Sequence, residues 1–482
     1  MQKNLTNIQN CAGTLLIKDS KVPLVIRKYL LITGGTQLNA KIIRDLLDKS
    51  QKNLNESMNQ YISNPDCDFT RSRKLPFDKV VSSVLGMEGR SLNNELLYQF
   101  GCAMETPTSS AFIQQRSKIN YKAFESLFHD FTTMAMKDNF QLFKGYRLLA
   151  VDGSDIQIAS NPADSESYIQ GKDGSKPYNL LHLDAMYDLL SNTYVDALVC
   201  KFRNMNEQGA LVDMVDRADN TYPAIVIADR GYESYNVLAH IQEKNWKFLI
   251  RVKDFGNHSS GIIHGLDLPN ENEFDVDIDL NLTYKQTNEA KALLKDRNHY
   301  KLLKSNRRFD YLPSKNKKHE PLKMYNLKFR VVRFKISEDS YEVILTNLNK
   351  ETFSPVIIKE LYGKRWGIET SFRNLKYTVG LLHFHSKKVD FIFQEIYARL
   401  IMYNYFELII SKTVIQKKQR KYAYMINFSV AAHICREFFL KRIPPDDIEA
   451  LISRYLTPVR PDRSRPRKMS SKTPISFLYR VA

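Results

Sequence analysis

Cysteine is sparse in this chain and never paired. The five residues, Cys11, Cys67, Cys102, Cys200 and Cys435, are scattered, odd in number and form no CxxC. That spacing argues against a disulfide framework and a zinc site, and it fits a reducing cytoplasm. The first residues, MQKNLTNIQNCAGTLL, lack the charged-then-apolar layout of a signal peptide. The most apolar late stretch, FIFQEIYARLIMYNYFELII from Phe391, is interrupted by Glu395, Arg399 and Glu407. It reads as a buried or interface helix and not as a membrane span. Tryptophan is scarce too, with only Trp246 and Trp366, and no internal repeat is visible.

Negative charge is in deficit. Lys and Arg number 71 against 53 Asp and Glu, a formal +18. Such a balance is a statement about partners, and a polyanion such as nucleic acid is the leading one. With 43% hydrophobic and 26% charged residues the chain reads as soluble and globular. At 482 residues it is too long for one compact core, so two to four domains are expected.

Residues 1–140 read as mostly helical. Within them TPTSSAFIQQRSKINYKAFESLFHDF opens with capping residues, then runs apolar through Ala111, Ile119, Ala123, Phe124 and Leu127. Its polar side carries Gln114, Gln115, Arg116, Lys118 and Lys122, as a DNA-facing helix or a plain solvated one would. From Tyr146 the pattern changes. YRLLAVDGSDIQI is strand-like, LLHLDAMYDLL and SNTYVDALVCKF read as a hairpin, and PAIVIADRGY is a buried strand between helical segments. That alternation predicts a mixed α/β sheet covered by helices. Residues 254–345 read as an inserted, β-rich, basic subdomain: between Lys295 and Lys335 stand 14 Lys and Arg against 3 Asp and Glu. Residues after about 385 read as helical, and VRPDRSRPRKMSSK as an exposed basic tail.

Two acids follow apolar strands in the same way, Asp152 in LLAVDGSD and Asp229 in AIVIADRGY. Taken singly, each fits a turn or an N-cap. Taken together on neighbouring strands, two carboxylates repel, and a divalent cation resolves the repulsion. Hard oxygen ligands without a nearby His or Cys cluster favour Mg²⁺ or Mn²⁺ over zinc. A third acid, Glu369, lies in LYGKRWGIETSFRNLK. Wound as one α-helix, that stretch keeps Tyr362, Arg365, Glu369 and Lys376 within roughly 60° of one another. Leu361, Ile368, Phe372, Leu375 and Val379 make the neighbouring buried stripe. Three acids can hold two metal ions for an in-line phosphodiester attack, and Tyr, Arg and Lys beside them can hold a DNA backbone.

The spacing Y-x2-R-x3-E-x6-K, together with AVDGSD and ADRGY, resembles the signatures of bacterial cut-and-paste insertion-sequence transposases with a DDE catalytic core. The resemblance covers residues 145 to 385. It implies an RNase H-like core in two parts, 141–253 and 346–388, interrupted by the β-rich insertion 254–345. Flanking these are a helical DNA-binding region, 1–140, and a helical C-terminal region with a basic tail, 389–482. It also implies that Asp152, Asp229 and Glu369 bind two metal ions, Mg²⁺ or Mn²⁺, while Tyr362, Arg365 and Lys376 grip the transposon end. Arg373, on the face of Glu369, touches DNA or pairs with a neighbouring acid.

Partners implied by the resemblance are double-stranded DNA, as transposon ends and target, and a second copy of the chain in a synaptic dimer, in a bacterial cytoplasm with no membrane. Excision through a DNA hairpin is part of the same implication. The family's base-stacking tryptophan has no counterpart in the insertion, where Tyr284, Tyr300, Phe309 and Tyr311 are the aromatics on offer. Two other readings stand beside this one: an RNase H-like nuclease or resolvase, and a catalytically silent DNA-binding relative. Asp155 is expected to cap or turn, Arg230 to make a structural hydrogen bond or reach a phosphate, and His383 and His385, alternating as strand residues do and without partners, not to be ligands.

Overall fold

The computed structural model describes residues 30–32, 38–71, 74–137, 141–171, 176–255, 261–313, 322–338, 340–415 and 422–459. The basic tail expected beyond Val459 and the first 29 residues lie outside the described residues. The chain divides into two compact units, one of Leu30–Ile32 with Phe140–Phe372, the other of the remaining residues. Among the described residues the second unit begins with helices α1 (Ala40–Glu56), α2 (Phe77–Gly86), α3 (Leu92–Gln99), α4 (Ser109–Arg116) and α5 (Lys122–Met136). Asn39, Ser91 and Thr108 cap α1, α3 and α4 by accepting from backbone N–H groups one turn on.

The other unit is built on one large mixed sheet. Its first strands are β1 (Arg147–Ile158), β2 (Tyr178–Asp188) and β3 (Thr193–Lys201), joined as an antiparallel meander. After helix α6 (Glu207–Arg217), β4 (Ala224–Ala228) pairs parallel with β1. After α7 (Tyr235–Glu243), β5 (Lys247–Val252) pairs parallel with β4. The order β3-β2-β1-β4-β5 is the RNase H-like arrangement. Its centre is apolar on both faces: Leu148 to Val151 and all of β4 are at most 1% exposed, as strands covered on both sides require.

The inserted segment is β-rich, and its strands continue the same sheet. β6 (Phe274–Thr283), β7 (Tyr300–Leu302), β8 (Tyr325–Ser337) and β9 (Ser340–Thr346) add beyond β5 in the order β9-β8-β6-β7. Helix α8 (Asn288–Leu293) precedes β7. Ile278, Leu280, Leu327 and Val331 join Val226, Phe248 and Ile250 in one apolar cluster, so this segment shares the core of the first five strands. Helices α9 (Pro355–Gly363) and α10 (Trp366–Tyr377) follow, and the boundary between the two units falls inside α10.

The helical unit resumes with α11 (Val389–Lys412), which contains the apolar run noted above. No helix among the described residues is long and apolar enough to cross a membrane. Residues Phe391 to Phe406 of α11 are buried without a break, because helices of its own unit surround it. Its buried charges, Glu395 and Arg399, find partners within the unit. Arg116, expected on a polar side facing DNA or solvent, is 1% exposed and donates to Glu395 at 2.9 Å, Gln394 at 2.7 Å and the Phe391 carbonyl at 2.7 Å. The expected continuous helix there is broken between α4 and α5, which turns Arg116 inward and leaves Ala111 exposed. His385 also has partners, contrary to expectation: Nδ1 faces Glu395 at 3.0 Å and Nε2 faces the Arg90 carbonyl at 3.1 Å. The C-terminal part is not wholly helical, since Ala423–Ile426 pairs with Leu456–Val459.

Candidate active site

Strand register places the first two acids. The last β1–β4 pair is Val151 with Ala228, so Asp152 and Asp229 are the next residues on two adjacent parallel strands. β4 ends there and β1 runs on, paired only with β2. Asp152-Gly153 is therefore a mid-strand dipeptide and not a turn. Asp152 Oδ1 accepts from the Gly153 N–H at 3.0 Å. Asp229 does cap, accepting from the Arg230 N–H at the start of a single turn, Arg230–Tyr232.

Burial pushes the Asp152 carboxyl up to about 6, with Glu369 and Asp229 adding to the rise and Arg365 and the Gly153 N–H opposing it.

The stretch holding Glu369 is two helices and not one. Between α9 and α10 the N–H groups of Lys364, Arg365, Gly367 and Ile368 donate to carbonyls three residues back. The tightened turn begins after Gly363, a weak helix former. It swings Arg365 to the inside, where the guanidinium is 4% exposed. One amino nitrogen donates to Glu369 Oε1 at 2.8 Å and the other lies 3.7 Å from Asp152 Oδ2. Tyr362 is buried beside it, 5.7 Å from ring centre to guanidinium carbon, and its hydroxyl meets no hydrogen-bond partner. Arg373 and Lys376 stand on the second half of α10, Arg373 exposed and Lys376 half-buried.

Beyond Asp229 the surface is basic. Arg230, Arg251 and Lys253 line an open pocket with Asp254, Tyr341 and Glu342. Glu342 pairs with Arg251 at 3.5 Å, which leaves the lining with a cationic excess. Of the insertion's aromatics, Phe309 belongs to the apolar core, Tyr284 donates to the Arg307 carbonyl at 2.6 Å, and Tyr311 stacks near His240. Trp366, outside the insertion, is 53% exposed beside Arg365.

One group of residues was missed by sequence reading. His182, Asp184 and Glu207 bring ligand-type atoms within 4.8 Å of one another. Asp155, expected to cap or turn, instead faces His182 Nδ1 at 2.8 Å. The signal was the His-x-Asp in LLHLDAM: on a strand, alternate residues share a face.

The sheet order, with one acid just past the last β1–β4 pair on each of the two strands, defines an RNase H-like domain. Residues 143–405 match the transposase DDE domain family, and the chain belongs to it. Among solved structures the chain is similar to a piggyBac transposase synaptic complex with hairpin DNA, at 10% identity, covering 91% of this chain and 88% of that one with a TM-score of 0.41. No curated protein matches the chain.

Proposed function

We propose that this protein is the transposase of an insertion sequence. It binds the terminal inverted repeats in double-stranded DNA, excises the element through a DNA hairpin and joins it to target DNA. A homodimer synapses the two ends, at the nucleoid of a bacterial cytoplasm. The observation that carries the reading is the consecutive register of Asp152 and Asp229, with Glu369 tied towards Asp152 through Arg365.

The donor set fits hard divalent cations. It is made of carboxylates alone, and ionisation of Asp152 is opposed by burial and by its acidic neighbours, which a bound cation offsets. Asp152, Asp229 and Glu369 would hold two Mg²⁺ or Mn²⁺ ions. When bound, such a pair supplies an activated hydroxyl and a stabilised leaving oxygen for phosphodiester cleavage and strand transfer. Arg365 holds Glu369 in place, and with the buried Tyr362 beside it grips the transposon end. Lys376 and Arg373 extend the cationic face along α10. Arg230, Arg251 and Lys253 carry the DNA backbone past Asp229. Residues 1–140 read the end sequence, ahead of the core segments 141–253 and 346–388, the insertion 254–345 and the C-terminal region 389–482.

The test is cleavage of labelled DNA carrying the inverted repeats that flank the gene. Wild type and Glu369→Gln are compared with Mg²⁺ and with EDTA. Metal-dependent nicking at the element boundary, lost in the variant while end binding persists, is the expected result. Boundary-specific binding without cleavage under any divalent metal would move the assignment to a silent DNA-binding relative.

A further inference from the structure

The face of the sheet behind Asp152 carries ionisable residues that this chemistry does not use. We propose that His182, Asp184 and Glu207 form a binding site for one divalent cation of the zinc class, distinct from the catalytic acids. The inference does not rest on the transposase reading. In the β1–β2 register Gly153 lies opposite Asp184, and Asp155 opposite His182. Side chains at these four positions share one face, and Asp152, paired with Ala185, belongs to the other. Glu207 joins the group from the first turn of α6.

Three observations point to a ligand. First, His182 Nε2 and Asp184 Oδ1 each lack a hydrogen-bond partner, although their residues are 3% and 2% exposed. Second, the spacing is that of metal ligands. Nε2 lies 3.3 Å from Asp184 Oδ1 and 3.6 Å from Glu207 Oε1. A charged hydrogen bond closes to about 2.7–2.9 Å. Ligands about 2.0–2.2 Å from a tetrahedral cation stand roughly 3.3–3.6 Å apart, and all three ligand atoms here lie within 4.8 Å of one another. Third, His182 is oriented as metal-bound histidines are, with Nδ1 on the Asp155 carboxylate at 2.8 Å. Against burial, Asp155 and Asp184 favour the protonated ring in the metal-free protein. A neutral ring donating to Asp155 would direct its Nε2 lone pair at the two acids, where the cation would sit.

Space for the group depends on Gly153. A Cβ there would lie 2.5 Å from His182 Nε2 and 2.8 Å from Glu207 Oε1. Tyr232, 2% exposed with an unpartnered hydroxyl, feels the charge of Asp184 and Glu207 from the same side. One imidazole with two carboxylates is a donor set for a first-row divalent ion such as Zn²⁺. Bound there, the ion ties β2 to the start of α6, and Asp155 on His182 links that centre to β1, three residues along the strand from Asp152.

The test is metal binding by the full chain, without any DNA. Protein stripped with chelator is dialysed against Zn²⁺ and its metal content measured, with Co²⁺ as a second probe read by its visible absorption. The expected result is about one tightly held Zn²⁺ per chain, kept in Asp152→Asn and Glu369→Gln. Affinity should fall at least tenfold in His182→Gln and Glu207→Gln. Because those variants alter buried positions, Asp155→Asn is the gentler probe, expected to weaken Zn²⁺ by about 10–100-fold with an unchanged circular dichroism spectrum. Wild type that holds no Zn²⁺ would overturn the site, as would binding unaffected in all three variants. So would nitrogen chemical shifts showing His182 doubly protonated in the presence of Zn²⁺.

Discussion

Arg365 donates to Glu369 at 2.8 Å from one turn earlier, and the same guanidinium reaches towards Asp152 at 3.7 Å. A single cation thus balances two of the three acids. Arg365→Ala should therefore destabilise the metal-free protein by about 2 kcal/mol, since it removes the cation that these partly buried carboxylates share. Mg²⁺ or Mn²⁺ should raise the melting temperature of the variant more than that of wild type. Equal metal-induced shifts in thermal melts would count against this account.

Asp152 should behave as a site where function costs stability. Its carboxyl is raised from 3.8 to about 6, mainly by burial, so the folded state holds a proton that the unfolded state has already released. Its contribution to metal-free stability therefore falls as pH climbs from about 4 to 6, by roughly 2–3 kcal/mol. Asp152→Asn should melt higher than wild type at pH 8 in EDTA and show no such advantage at pH 4, while losing cleavage at every pH.

Gly153→Ala adds a methyl group where His182 Nε2 would be 2.5 Å away. The cluster must move, at a cost of about 1–3 kcal/mol. Chemical denaturation should show that loss, and DNA cleavage should drop at least tenfold because Asp152 is the next residue.

In the helical unit, Arg116 and Glu395 form a fully buried pair. Burial alone would raise the Glu395 pKa, but His385 and Arg116 hold it down to about 2. The stability it contributes is present above 4.5 and is lost as pH falls towards 2. His385 works in the other direction. Burial opposes its charge, but Glu395 raises its pKa above 6.5, so its contribution is full below 6.5 and fades as pH rises through the folded value. Arg116→Ala should cost about 3–5 kcal/mol in urea titrations at pH 6.

Arg251 and Lys253 should act through phosphates. Alanine at either position should weaken DNA binding about equally for specific and random sequences. Each should lower the slope of log affinity against log salt by about 1 in fluorescence titrations. A selective loss on the inverted repeats would instead assign them to base readout.

The line between sequence and structure falls at particular residues. The strand around Asp152, the hairpin after it and the strand before Asp229 were legible because their apolar runs are set by local alternation and burial on both faces. The spacing of Tyr362, Arg365, Glu369 and Lys376 was legible as a pattern, but the break after Gly363 was not. It decides that Arg365 faces the acids and not solvent. Arg116 was misplaced for a similar reason: nothing near it in sequence announces Glu395, 279 positions away.

By itself the sequence determined which strands form, which acids follow their apolar runs and which family the chain belongs to, since these depend on residues close together along the chain. Tertiary structure alone decided three further things: that β6 to β9 extend the catalytic sheet, that Arg365 bridges two acids, and that Asp155, His182, Asp184 and Glu207 meet behind Asp152. Each depends on pairing between distant segments, where register and burial, not local pattern, set which side chains face one another.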